Sequence, residues 1–267
     1  MIDINRKFKA KKCVYIPLLV YLLLGHEIVL SEVFHYKMHW GFFPLAEVVI
    51  KINEANSPIR AEFNAKSTGP SHFLRSYTAK ASITKLTDES YIYDMNGLDN
   101  NKIERRLIEY SSNAVPIIYD FIDDKGAPSL KINDIDKGAV DPFSVMLNIM
   151  IEIKNSKSCN GFYSVFDGKR RYKVKAEFIG YINLTSDRKW TVGGETVHCR
   201  INLIKENKDN IDIGVKNKLN QDGKNEWPLE YRNMRTIDTW FALNKNYQPI
   251  KFVMKATLGK VKGRLVQ

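Results

Sequence analysis

Along most of the chain, apolar positions alternate with polar ones far more often than they recur at helical spacing. Phe34, Tyr36, Met38 and Trp40 fall on one side of an extended segment, and His35, Lys37 and His39 on the other. This is the period-2 pattern of a half-buried strand. Gly41 to Pro44 interrupts it, and 45–52 followed by 59–65 reads as a hairpin around Asn56, Ser57 and Pro58. Residues 71–87 fit either a short helix or a strand. Further strands are expected at 90–95, 104–111 and 115–122, and Pro116 near the start of the last marks it as an edge.

One stretch carries the helical period. Asp141 suits an N-cap and Pro142 the first turn, and Phe143, Met146, Leu147, Met150 and Ile153 then follow at spacings of three and four. Apolar on one stripe, this helix should plug an open end or face of a sheet. Strands resume at 162–167, 170–182 and 187–192, and the turn Gly193-Gly194 leads into 195–205. The stretch 206–235, rich in Asn, Asp and Lys, reads as a long loop before two closing strands. Ile250, Phe252, Met254, Ala256 and Leu258 are even-numbered whereas Val261 and Leu265 are odd, so the phase slips at Gly259, where a bulge or sharp bend is expected. The fold class predicted is mainly β: a strongly curved antiparallel sheet or partial barrel, with one or two short helices packed on it or plugging it.

Composition adds a compartment to this picture. With 267 residues, 44% hydrophobic, the chain can bury a sizeable core, which excludes disorder, collagen-like sequence and a polytopic membrane protein. Arg6, Lys7, Lys9, Lys11 and Lys12 precede an apolar run from Cys13 to Gly25 that His26 and Glu27 end. Basic residues followed by so short a run form a secretory signal peptide, since a membrane-spanning helix needs about 20 apolar residues. An uncleaved anchor is the second choice. Val29 and Ser31 suit a cleavage site, giving a signal peptide at 1–31 and one β-rich domain at 32–267. Removing 1–31 takes five basic and two acidic residues from totals of 41 and 30, leaving 36 against 28, a charge of +8. Export argues against nucleic acid as the anionic partner. Anionic lipid, lipopolysaccharide and acidic wall polymers are the candidates that remain, with peripheral contact to a membrane.

An oxidising compartment changes the reading of the two cysteines outside the signal, Cys159 and Cys199. A disulfide is favoured over two buried thiols. The search for other chemistry returns little: no Gly-x-Ser-x-Gly, His-Glu-x-x-His or Cys-x-x-Cys occurs, and no cofactor or metal is implied. His35 and His39 are too far apart on a strand, at about 13 Å, to share a metal. Gly168-Lys169 is followed by Arg170 where a phosphate-binding loop needs Ser or Thr, and then by a strand where it needs a helix. Asp134, Asp136 and Gly138 match a calcium loop poorly.

One set of segments rises above this background. Cys159 and Val165-Phe166-Asp167-Gly168-Lys169-Arg170-Arg171-Tyr172 resemble the signature of the bacterial exported family known as domain of unknown function 3108. Trp40-Gly41-Phe42-Phe43-Pro44-Leu45-Ala46-Glu47, Asp141-Pro142-Phe143-Ser144, Cys199 and the closing 249–259 segment are similar to it too. The chain departs from it at Ala46, where glycine is more usual, and in the polar insert near 206–226. The resemblance implies a location in the cell envelope and a β-rich fold, and it implies no reaction.

Alternation along 169–176 places Lys169, Arg171, Lys173 and Lys175 on one face and Arg170, Tyr172, Val174 and Ala176 on the other. Lys169, Arg170, Arg171 and Lys173, with Trp40 and Phe166, are the candidate ligand-binding residues, a cationic stripe at the mouth of an apolar concavity. The alternative is a solvated face with Arg170 tied to Asp167 or Glu47. The expected function is a non-catalytic envelope protein that binds an anionic amphiphile or docks an envelope partner. The competing reading is a hydrolase of a wall or envelope polymer using Glu47 and Asp167 as acid and base.

Overall fold

The computed structural model describes residues 31–53, 60–70, 72, 75–123, 135–186, 191–204, 236–243, 246–256 and 259–266. Residues 1–30 of the segment read as a signal peptide, the Asn56, Ser57 and Pro58 expected at a hairpin turn, Asp134 and the stretch 205–235 lie outside the described residues.

Thirteen strands form one antiparallel sheet. The first seven make a meander: β1 (Ser31–Trp40), β2 (Phe43–Asn53), β3 (Arg60–Ser67), β4 (Tyr77–Lys85), β5 (Ser90–Asp99), β6 (Lys102–Ser111) and β7 (Ile117–Asp123). Helix α1 (Pro142–Ser156) follows. A second meander comprises β8 (Phe162–Phe166), β9 (Arg171–Leu184), β10 (Gly194–Ile204), β11 (Thr236–Ala242), β12 (Pro249–Ala256) and β13 (Gly259–Val266). The spatial order is β7-β6-β5-β4-β3-β2-β1-β13-β12-β11-β10-β9-β8, so the β1–β13 ladder joins the meanders and β7 and β8 are the edges. The sheet curls but does not close, as the partial-barrel expectation requires, and Pro116 does precede an edge strand.

Several local expectations are corrected. The ambiguous 71–87 region contains a strand, β4, whose alternate residues Ala79, Ala81 and Ile83 are buried. Residues 43 and 44 belong to β2, because a register shift at Met38/His39 absorbs the misfit that a chain break was expected to take. Most of the strand expected at 187–192 lies outside the described residues; β9 runs on to Leu184 and pairs with Gly194, and Thr191 makes an isolated bridge to Val266. Three strands, not two, follow the polar stretch, since 236–242 forms β11. Of the bulge or sharp bend expected at Gly259, the bend is the one that forms, as a chain reversal in which Ala256 pairs with Gly259, whose φ is +131°. A turn with no counterpart among the expected ones joins β5 to β6, where Asn100 and Asn101 both take positive φ, 49° and 67°. That conformation suits a two-residue hairpin, and Asn tolerates it.

Helix α1 forms as its sequence predicts. Asp141 Oδ1 accepts from the backbone N–H groups of Phe143 and Ser144 at 2.8 and 3.0 Å, and Oδ2 takes the Ser144 hydroxyl. At the other end Lys157, with φ 57°, returns its N–H to Ile153 O. Val145, Ile149, Met150 and Ile153 are buried against Phe34, Ile50, Val165, Val197 and Phe241 on the inner face of the sheet. A second cluster, around Ile83, Tyr93, Ile108 and Tyr110, meets the first at Phe63, Phe143 and Leu147. Cys159 and Cys199 are disulfide-bonded within the first cluster. The bond spans 40 residues, a loop for which the chain-entropy treatment gives about 4 kcal/mol. It ties the segment after α1 to β10.

The two edges meet through side chains. Tyr110 Oη of β6 donates to Phe166 O at 2.7 Å, and Lys169, in the β8–β9 turn, pairs with Asp123 at the end of β7. Gly168 turns there with φ 84°, and a Cβ on it would lie 2.8 Å from Arg106 Cδ and 2.9 Å from Ile108 Cδ1. Residue 168 must therefore be glycine for both conformation and space.

These contacts set the response to mutation and to pH. The Asp123 side chain is 1% exposed, so Lys169→Met should cost about 3 kcal/mol in urea unfolding, and adding Asp123→Leu should recover most of it. Desolvation raises the pKa of buried Asp141, so the native state holds that proton more tightly than the unfolded state. Stability should fall as pH rises from about 4 through the elevated pKa and then level off. Asp141→Asn should lack that fall, as a comparison of unfolding midpoints across pH would show.

Candidate functional site: an apolar cavity between helix and sheet

Among the described residues, the thirteen strands curled around α1 enclose more space than the helix fills. A cavity of about 420 Å³ remains between α1 and the inner face, within the range of small-molecule sites. Tyr36, Met38, Val48 and Ile50 line it from β1 and β2, Val145, Met146 and Ile149 from α1, and Tyr172 and Val174 from β9. Ile201, Leu203, Ile237, Thr239, Phe241, Pro249, Phe252 and Met254, with Phe63 and Pro142, complete the wall. Strand alternation produces this lining: on β2, Val48 and Ile50 face inward while Glu47 and Lys51 face outward. Ile201, Ile237 and Met254 stand side by side through the β10–β11 and β11–β12 registers.

Among these apolar groups, Tyr36 supplies a polar atom without a partner. The residue is 3% exposed, and its hydroxyl has no hydrogen-bond partner among the described residues. Burial accordingly raises its pKa well above the usual tyrosine value. An unmet buried hydroxyl costs about 1–3 kcal/mol, which an oxygen of a ligand in the cavity would offset. Chemically, the cavity can hold an alkyl or alicyclic body and present one donor to a carboxyl, ester or phosphate oxygen. It offers no nucleophile paired with a base.

None of the expected ligand-binding residues lines this cavity. Lys169 is held by Asp123, and Arg170 by Asp167, with Nε to Oδ2 at 3.0 Å. Lys173 pairs with Asp136 and donates to Ser164 Oγ at 2.6 Å, and Arg171 also adds to the positive field at Asp136. Phe166 is fully buried in the second cluster, and Trp40 lies beside Gly259, where a Cβ would stand 3.1 Å from the indole Nε1. Arg170 is thus tied to Asp167, one of the two carboxylates foreseen in the alternative reading. Asp167 Oδ1 also takes the N–H groups of Lys169 and Arg170 at 2.8 and 2.6 Å. Glu47 is on the outer face, bridged to Lys66 at 3.1 Å, so the proposed acid and base are not brought together.

The residues that do form the cavity are legible in the sequence only as strand interiors and, for Met146, as part of the apolar stripe of α1. Tyr36 sits between Phe34 and Met38 on an apolar face, and that position is its one signal. Strand β11 is absent from the expected elements, and with it Ile237 and Phe241.

The fold defines the protein first as an open, curled antiparallel sheet packed over helix α1, with an apolar cavity between the two. The chain belongs to the family described as protein of unknown function DUF3108, which it matches over residues 35–266. No curated protein and no solved structure matches it. Among the described residues, no helix is long and apolar enough to cross a membrane.

Tyr36→Phe removes the unmet hydroxyl while keeping the ring. It should raise the stability of the ligand-free protein by about 1 kcal/mol in chemical unfolding. A loss of similar size would mean that the hydroxyl is satisfied.

Proposed function

We propose that the protein is a non-catalytic, exported protein of the bacterial cell envelope that carries an amphiphile, burying its apolar part between α1 and the sheet. The single observation that carries this reading is the apolar cavity with the Tyr36 hydroxyl unmet inside it. Apolar burial at roughly 25 cal/mol per Å² supplies the affinity, and Tyr36 orients the polar end. Basic residues followed by a short apolar run at the amino terminus support export to the periplasm or beyond. The disulfide is consistent with an oxidising compartment. Separation of Glu47 from Asp167 favours binding over hydrolysis.

Mass spectrometry of an organic extract of the protein purified from its native envelope tests this directly. A near-stoichiometric amphiphile is expected, and Met146→Trp, which places a large ring in the cavity, should lower its occupancy at least about tenfold while the fold persists. One methylene is worth about 0.8 kcal/mol, so two displaced groups suffice. An empty parent protein that also fails to take up an apolar fluorescent dye would refute the reading.

A further inference from the structure

On the opposite side of the sheet from the cavity, cations accumulate in a way the fold does not require. Lys37 of β1 is directly opposite Arg264 of β13, which is in turn opposite Lys251 of β12. One pair further along, Lys262 stands against His39, and Lys260 stands against Lys255. All are on the outer face, because their neighbours Tyr36, Val261, Leu265 and Ile250 are buried inside. Like charges directly opposite one another destabilise a sheet. Three adjacent strands thus present opposed cations on one face.

All of these side chains but Lys255 border a groove of about 480 Å³ that also includes Phe42, Trp240 and Asp238. Asp238 is already engaged by Arg200 at 3.1 Å and His198 at 3.2 Å. Glu47, opposite Lys37 on β2, is bridged to Lys66. The Lys251 ammonium lies 4.5 Å from the centre of the Trp240 ring, which stacks on His198 at 4.4 Å. The Trp240 Nε1 donor has no acceptor among the described residues. At one end of the groove the β1–β2 turn holds Phe42, 95% exposed, beside Phe43, 57% exposed. Two adjacent phenylalanines in water next to a row of cations have the composition of an interfacial anchor: rings for the acyl boundary, ammonium groups for the phosphates.

We propose that this outer face of β1, β13 and β12, with the Phe42 turn beside it, docks the protein on a bilayer rich in anionic phospholipid. The surface is distinct from the cavity, and its evidence is independent of it. Exposed rings favour a lipid surface over a soluble anion, which would use the cations and Trp240 but leave Phe42 in water.

Sedimentation of the full protein with vesicles decides the matter. Binding is expected to vesicles of phosphatidylglycerol and phosphatidylethanolamine, to weaken with salt, and to be absent with phosphatidylcholine alone. At about fivefold per cation, Lys37→Gln, Lys260→Gln and Lys262→Gln together should weaken binding roughly a hundredfold. The melting temperature of that variant should be equal or higher, because opposed like charges are removed. Phe42→Ser should weaken binding about tenfold. Met146→Trp, which occupies the cavity, should bind vesicles like the parent, so failure of the cavity reading and failure of this one are distinguishable. The proposal is overturned if the parent ignores anionic vesicles, if the triple variant binds them as the parent does, or if phosphatidylcholine serves equally. Full displacement from the vesicles by inorganic phosphate at matched ionic strength would also overturn it, in favour of a soluble phosphate ligand.

Discussion

Everything in this structure depends on how an open sheet holds a curl without a ladder to close it. The amino- and carboxy-terminal strands pair in the middle, Tyr36 with Leu265 and Met38 with Gly263, and so join two meanders side by side. Their far edges, β7 and β8, share no ladder. What brings them together is a patch of side-chain contacts: the Tyr110 hydroxyl on Phe166 O, the Lys169–Asp123 pair, and Gly168 close against Arg106 and Ile108. The segment before α1 contributes as well, since Val140 O accepts from Phe166 N and Val140 N donates to Ser164 O. It covers part of the free edge of β8, which would otherwise expose unpaired backbone groups.

This latch explains the residues that gave the chain its family resemblance. Asp167 folds the β8–β9 turn by accepting from two backbone N–H groups and from Arg170, and Gly168 permits the close approach to β6. Lys169 then reaches a carboxylate that is almost completely enclosed. These cations serve closure: each spends its charge on a carboxylate of the protein itself. Asp141 has a comparable role one layer in, where it caps α1 under Tyr91, whose Oη accepts the Asp141 N–H at 3.3 Å. The cavity is a consequence of the same arrangement. A helix of 15 residues is about 22 Å long, and it fills only part of the trough made by strands from both meanders.

The two faces of the sheet divide the chemistry cleanly, because alternation sends successive side chains to opposite sides. On β1 and β13 the inward set is Phe34, Tyr36, Val261 and Leu265, and the outward set is Lys37, Lys262 and Arg264. Strand β1 thus lends Tyr36 and Met38 to the cavity wall and, with β13, a cationic surface to the exterior. The register that aligns one set necessarily aligns the other.

The sequence by itself determined the strand content, the helix with its Asp141 cap, the edge at Pro116 and the family, because each depends on neighbours a few residues away. Periodicity, capping and turn chemistry are local properties, and they survive without knowledge of the fold. The pairing of Cys159 with Cys199 was also accessible, since two cysteines offer one intramolecular partner each. Which carboxylates partner the cations was decided only in three dimensions. Lys169, Arg170 and Lys173 look like a binding stripe along the chain, yet Asp123, Asp167 and Asp136 neutralise them, and two of those three come from segments 37 and 46 residues away. Conversely, Lys37 lies more than 200 residues from Lys251 and Arg264 in sequence, and the β1–β13 and β12–β13 ladders alone make them neighbours. Electrostatic partnership falls off over a few ångströms, so it belongs to the register of distant strands, which no local pattern encodes.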